Sequence, residues 1–209
     1  MIGIIDYGMG NLRSVSNAFR SLGYDALIAS SPDELDGADK VVLPGVGAFA
    51  RAIDELRKSG WADRIYDVIA SGRPLIGICL GMQLLFETSY ENGAHRGLGV
   101  FPGLVRRIPD GAGPDGRKLK IPQVGWNRID IRTKSDILDT SGDTYVYFVH
   151  SYYADTDPEY VSSTASYGTD ITASVERGSV YGVQFHPEKS GSQGLEILRK
   201  FAALGGRAS

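Results

Sequence analysis

The chain of 209 residues sets 22 Lys and Arg against 25 Asp and Glu, a net charge of −3 that argues against a general nucleic-acid binder, which needs a basic footprint. With 42% hydrophobic residues, a chain of this length buries most of its apolar surface within one domain, expected to run over 1–209. One cysteine leaves no intramolecular disulfide, and no apolar run is long enough to span a bilayer, so a reducing, cytoplasmic setting with no membrane contact is expected.

In chain order, Ile2 to Ile5 reads as a buried strand. A helix follows over Asn11 to Leu22, with Leu12, Val15, Phe19 and Leu22 on one face and Asn11 as its N-cap. Gly8-Met9-Gly10 lacks the third glycine of a dinucleotide fingerprint, since Arg13 stands there. Ala26 to Ala29 and Lys40 to Leu43 are the next strands, the second running into Pro44-Gly45-Val46-Gly47. Helices are expected near 48–58 and 62–70. A strand from Pro74 to Ile78 then passes through Cys79 into a helix that begins near Leu80. Strands alternating with helices imply an α/β fold whose parallel sheet is covered on both faces.

The second half changes character. Val100 to Ile108, Asn127 to Arg132, Tyr145 to Tyr153, Thr172 to Glu176 and Val180 to Phe185 read as strands with few helices between them. Arg177-Gly178-Ser179 has the look of a hairpin turn. A closing helix over Ser192 to Leu204 buries Leu195, Leu198, Phe201 and Ala202. The Gly- and Pro-rich stretch from Pro109 to Pro122 is too short to separate domains. The basic residues around it (Arg106, Arg107, Arg117, Lys118, Lys120) read as a solvated loop.

Gly77-Ile78-Cys79-Leu80-Gly81 has the spacing of a nucleophile elbow, with cysteine at the reactive position. The flanking glycines let strand and helix approach closely. The helix N-terminus favours a thiolate and offers N–H groups to an oxyanion. By itself a lone cysteine at a strand end is an ordinary buried hydrophobe; the glycines and the strand-to-helix context favour the nucleophile. Such a thiol needs a base. His95 sits in a polar, Gly-flanked segment and reads as a surface residue, whereas His150 ends a strand and could reach the sheet's carboxyl edge. His186 also ends a strand, and Glu188 two residues on can fold back to hold its tautomer, so His186 is the favoured base and Glu188 its orienter.

Gly77-Ile-Cys-Leu-Gly-Met-Gln83 together with Gln184-Phe-His-Pro-Glu188 resembles the class I, or triad, glutamine amidotransferases. Asp6-Tyr-Gly-Met-Gly-Asn11, Pro44-Gly-Val-Gly-Ala-Phe49, Gly125-Trp-Asn127, Phe148-Val-His-Ser-Tyr152 and His186-Pro-Glu-Lys-Ser190 are similar to glutaminase subunits of imidazole glycerol phosphate synthases. The likeness covers nearly the whole chain. Gln123-Val124 stands where members of that family often carry His-Met, which bears on partner contact and leaves the triad motif untouched.

The resemblance implies a three-layer fold with a mixed, mostly parallel central sheet, and a reaction without cofactor or metal. Cys79, His186 and Glu188 would hydrolyse glutamine. The N–H of Leu80 and one from the Val46-Gly47 peptide would form the oxyanion hole, while Gln83, Glu91, Ser151 and Tyr152, with Gly47, would position the substrate. Asn11, Trp126, Tyr147 and Lys189 would lie at the interface through which ammonia leaves. The implied partner is a (β/α)₈-barrel cyclase, expected on a separate chain because such a barrel typically takes about 250 residues. A different glutaminase, or a binding protein built on the same fold, is the competing reading. The Asp-Tyr-Gly-Met-Gly-Asn opening argues against the first and the complete triad against the second.

Overall fold

The computed structural model describes residues 1–113, 116–138 and 142–205. The first half builds β1 (Ile2–Ile5), α1 (Leu12–Ser21), β2 (Ala26–Ala29), β3 (Lys40–Leu43), α2 (Phe49–Lys58), α3 (Trp61–Ala70) and β4 (Leu75–Ile78). After a single residue comes α4 (Leu80–Leu84), then β5 (Phe86–Ser89), β6 (His95–Arg96) and β7 (Phe101–Arg107). The rest comprises β8 (Gln123–Ile131), β9 (Thr144–His150), β10 (Tyr152–Asp155), β11 (Val161–Ser166), β12 (Asp170–Arg177), β13 (Val180–Val183) and α5 (Gly191–Ala203).

Among the described residues the strands form two sheets. The larger has the order β2-β1-β3-β4-β13-β12-β11-β8-β9. It is parallel from β2 through β13 and antiparallel from there to β9, so the mixed sheet expected from the sequence has a parallel half built from the first four strands and β13. β1 shows how the layers arise. Ile5 packs under α2 and α3 with Phe49, Leu56 and Trp61, while Ile2 and Ile4 pack on the other face with Phe19 of α1 and Phe201 of α5. Successive strand residues point to opposite faces, so an all-apolar strand needs helices on both.

The second sheet, β10-β7-β5-β6, was not legible in the sequence. Tyr145 to Tyr153 reads as one strand but is broken at Ser151. β9 pairs with β8 in the large sheet, whereas β10 turns away to pair with β7, Tyr152 opposite Arg107. The Ser151 carbonyl accepts the Ile108 N–H at 2.8 Å, which pins the break. β11 also escaped the sequence reading, because its inward residues Ser162 and Ser163 are polar. They are buried against the Ser174 hydroxyl at 2.7 and 2.6 Å, a satisfied polar contact where apolar alternation was sought. Asn11 occupies the N-cap position of α1 without capping it: its ψ of 58° is not extended, and the side chain makes no capping bond. Arg106 and Arg107 lie on β7 rather than in a loop and pair with Asp155 and Asp110. The stretch 109–122 falls partly outside the described residues. Gly178 takes a positive φ of 62° in the β12–β13 turn, as its hairpin role requires.

The β4–α4 junction is the tightest point in the fold. A Cβ on Gly81 would lie 1.9 Å from the Leu43 carbonyl oxygen, and one on Gly77 would lie 2.7 Å from the Gly81 oxygen. Both obstacles are backbone and cannot swing aside. Gly81→Ala is therefore expected to cost at least about 3 kcal/mol, the upper range of core overpacking. Gly111→Ala, where the nearest atom is 3.6 Å away, should stay within about 1 kcal/mol. Urea unfolding of the two variants beside the parent measures both.

Candidate active site

Cys79 is the single residue between β4 and α4, and the turn forces it to φ 55°, ψ −111°, in the left-handed half of backbone space that side chains avoid. The strain is held from both sides. The Cys79 N–H donates to Val183 O at 2.8 Å on the neighbouring β13, and the Cys79 carbonyl accepts from Gln83 N–H at 3.2 Å. The side chain is 7% exposed, at the floor of a cavity of about 350 Å³. Leu80 is the first residue of α4, so its N–H has no intrahelical acceptor.

His186 follows β13 and is held against β9. Its N–H donates to Tyr147 O at 2.9 Å and its carbonyl accepts from the Ser190 hydroxyl at 2.6 Å. A short helical turn over Pro187–Lys189 folds Glu188 back beneath the ring, with Oε1 2.9 Å from Nδ1. The His186 and Glu188 side chains are 2% and 1% exposed. A carboxylate at Nδ1 keeps the proton there and turns Nε2 toward Cys79. Among the described residues Nε2 has no hydrogen-bond partner, yet the thiol is near enough to act on the ring. Burial alone would lower the imidazole's pKa; Cys79 and Glu188 on its two sides outweigh it and raise the pKa to about 9.

His150 has the opposite environment. Nδ1 lies 2.8 Å from Tyr152 O and Nε2 lies 3.1 Å from the Gln123 side-chain amide, so both ring nitrogens are engaged. Burial pushes its pKa down to about 4. The two histidines border one cavity but differ in kind: one is flanked by ionisable partners, while burial among uncharged groups disfavours the charged form of the other.

The cavity collects most of the residues singled out from the sequence. Val46, Gly47, Leu80, Gln83, Glu91, Ser151 and Tyr152 all line it together with Cys79. Gly47 has φ +97°, and Gly45 sits so close to α4 that a Cβ there would be 2.6 Å from Gly81 N. The Tyr7 hydroxyl donates to Pro44 O at 3.0 Å and braces this loop from below. Glu91 Oε2 accepts the Phe49 N–H at 2.6 Å, at the start of α2. Lys189 reaches the cavity rim, while Trp126, Tyr147 and Asn11 lie outside it. Trp126 is 56% exposed and meets the half-buried Tyr147 edge-on, ring centroids 6.2 Å apart. His95, expected at the surface, is half-buried on β6. The sequence reading gave no role to Gln184, whose amide donates to Cys79 Sγ at 3.7 Å, nor to Gln123. Both are buried amides, and only tertiary contacts distinguish such residues from surface glutamines.

A family model described as glutamine amidotransferase class-I matches residues 3–204. A Geobacillus protein named imidazole glycerol phosphate synthase subunit HisH is 50% identical over 205 residues, covering 98% of this chain and 97% of the relative. A Methanothermobacter thermautotrophicus protein of the same name is 46% identical over 204 residues, with 98% of each covered. The Arabidopsis thaliana chloroplastic imidazole glycerol phosphate synthase hisHF is 46% identical over 204 residues; they are 96% of this chain but 34% of that protein. Among solved structures, PurLQS from Thermotoga maritima matches with a TM-score of 0.74 at 17% identity over 96% of both chains. At that identity the likeness establishes the fold.

The two histidines make opposite contributions to stability against pH. His150 has a folded pKa of about 4, below the ordinary 6.5. The unfolded chain therefore binds the extra proton, and stability falls as pH drops from 6.5 toward 4, by on the order of 3 kcal/mol. His186 has its folded pKa raised to about 9, so its contribution is complete below 6.5 and is lost as pH rises through 9. Thermal melts from pH 4 to 9.5 should show His150→Gln flattening the acid limb and His186→Gln the alkaline one.

Proposed function

The chain belongs to the class I glutamine amidotransferases, and on that premise we infer that it is the glutaminase subunit of imidazole glycerol phosphate synthase. It hydrolyses glutamine and hands the ammonia to a cyclase subunit. The inference to this member of the family rests on about 50% identity to HisH subunits along nearly the full chain. The observation that carries the chemistry is His186, held by Glu188 at 2.9 Å on one side with Cys79 on the other.

In this reading Cys79 Sγ attacks the side-chain carbonyl carbon of glutamine. The oxygen that becomes negative is met by the N–H groups of Leu80 and Gly47. Donors aimed at the developing charge stabilise it without reorganisation at the moment of reaction, once both face it. The tetrahedral species collapses to a glutamyl thioester, and His186 gives its Nε2 proton to the departing ammonia. The same imidazole then takes a proton from water, which attacks the thioester and releases glutamate and the free thiol. Glu188 fixes the ring's tautomer throughout, as carboxylates do in related triads. Gln83, Glu91, Ser151 and Tyr152 hold the amino-acid end of the substrate.

Ammonia leaves toward a (β/α)₈-barrel partner docked over Trp126, Tyr147, Lys189 and Asn11. That barrel makes imidazole glycerol phosphate and aminoimidazole carboxamide ribonucleotide in histidine biosynthesis. Support for a docking face comes from Val124, Trp126 and Tyr145, which are 59%, 56% and 47% exposed on the β8–β9 pair beside the cavity. Large apolar side chains clustered in the open mark interaction surfaces. The Arabidopsis protein, with about two thirds of its length outside the match, has room for both activities in one polypeptide. The complex belongs in the cytoplasm; among the described residues no helix is long and apolar enough to cross a membrane.

Cys79→Ser should lower glutamine-dependent synthesis by the assembled enzyme at least about 10³-fold, since losing a nucleophile costs several orders of magnitude. Synthesis from ammonium salt should persist. Retention of a tenth of the glutamine-dependent rate would remove Cys79 as the nucleophile.

The chain alone should be a poor glutaminase. Gly47 at φ +97° lets the Val46–Gly47 peptide rotate, and a hole with one donor turned away loses about 10²–10³ in rate. Glutamate release is expected to rise by that order when the cyclase and its nucleotide substrate are both bound. Equal rates for the chain alone, the complex and the loaded complex would exclude a partner-operated switch.

A further inference from the structure

We propose that Gln184 is a positioning residue for the nucleophile, part of a hydrogen-bond chain of fixed polarity that aims an N–H at the Cys79 sulfur. The proposal rests on Cys79 being the nucleophile, as inferred above.

The polarity follows from one backbone carbonyl. Tyr152 O can only accept. The Gln83 side-chain atom 2.9 Å from it must therefore be the amide nitrogen. The same nitrogen lies 2.9 Å from the Gln184 amide, and with its hydrogens directed outward it meets an oxygen there. Gln184 is thereby fixed with Oε1 toward Gln83 and Nε2 toward Cys79, 3.7 Å from Sγ. An isolated buried glutamine could turn its amide over; this one cannot without setting two donors, or two acceptors, against each other. The second lone pair of Tyr152 O is filled by His150 Nδ1 at 2.8 Å, so the anchor of the chain is saturated.

Burial and backbone make the arrangement rigid. Gln184 is completely buried and Gln83 is 6% exposed, so the donor cannot be replaced by bulk water. The Gln184 N–H donates to Ala173 O on β12 at 2.8 Å. Strand alternation sends Gln184 and His186 to one side, while Phe185 between them packs edge-on against Phe148 on the other. One strand end thus delivers both the base and a neutral donor to the same sulfur. A hydrogen bond to an ionised partner is roughly twice as strong as a neutral one, so this N–H holds the attacking sulfur in place most firmly when it carries charge. Gln83 acquires a second duty: besides facing the substrate cavity, it sets which end of Gln184 meets Cys79.

Two assays on the enzyme assembled with its cyclase partner test this. The first is steady-state glutamine hydrolysis; the second is alkylation of Cys79 by iodoacetamide at neutral pH without glutamine. Gln184→Met, similar in size and unable to donate, should lower kcat and the alkylation rate together by about ten- to a hundredfold, the range for losing a hydrogen bond to a charged group. KM for glutamine should change far less. Gln83→Met should also slow alkylation, although no glutamine is present, and the double variant should be no slower than Gln184→Met alone. If Gln184→Met does not fold, alkylation of Gln83→Met decides by itself, because a residue that only binds substrate leaves that rate unchanged. Parental kcat and alkylation in a folded Gln184→Met, or parental alkylation in Gln83→Met, overturns the proposal. Glutaminase activity surviving in Cys79→Ser would instead overturn the nucleophile assignment, a separate result.

Discussion

Everything at the site depends on how closely α4 is pressed against the end of β3. Gly81 touches the Leu43 carbonyl where a methyl group would overlap it, and Gly45 meets the first turn of α4 from the loop that follows the same strand. This contact holds Cys79 in its left-handed conformation, packed on the core and at the edge of the cavity. It also brings the Val46–Gly47 peptide beside the Leu80 N–H. The position of Cys79 beside Leu80 and the Val46–Gly47 peptide therefore follows from a single steric constraint, with glycines wherever the backbones meet. Strain of this kind persists only where the surroundings over-determine it. Here they do, through parallel strands on both sides of β4.

The polar groups around the thiol divide its environment into two halves. On one side His186 and Glu188 form a buried, ionisable pair in which burial is outweighed by neighbouring charge. On the other, His150, Gln83 and Gln184 form a neutral network tied to one backbone carbonyl. The first half can exchange a proton with the sulfur and the second cannot. Placing two imidazoles of such different basicity around one cavity keeps a single route for the proton.

The small sheet explains why the substrate end of the cavity has walls. A strand continuing straight past His150 would leave the cavity open. By breaking at Ser151, the chain lets β10 join β7 and presents Ser151 and Tyr152 toward Cys79. On the outer side the β8–β9 pair carries exposed aromatics next to the same opening, which suits a site whose product passes directly to another subunit.

Much of this was legible in the residues themselves. The alternation of apolar strands and amphipathic helices determined the parallel half of the sheet. The Gly-x-Cys-x-Gly spacing marked the strained turn, because only glycines tolerate such contact. His-Pro-Glu after a strand pointed to an imidazole with a carboxylate folded beneath it, and that local geometry is what the structure holds. The second sheet could not be read, since Tyr145 to Tyr153 has continuous strand character and its break is decided by which neighbour each half pairs with. β11 was hidden because its buried face is serine, satisfied only by a serine from β12. The sequence placed His150 at a strand end near the sheet's carboxyl edge, but its hydrogen-bond partners, and the whole role of Gln184, lay beyond sequence reasoning for the same cause. Burial and hydrogen-bond polarity belong to the surroundings of a side chain, and residues far apart in the chain supply those surroundings: Tyr152 fixes Gln83, Gln83 fixes Gln184, and only then does an amide face the sulfur of Cys79.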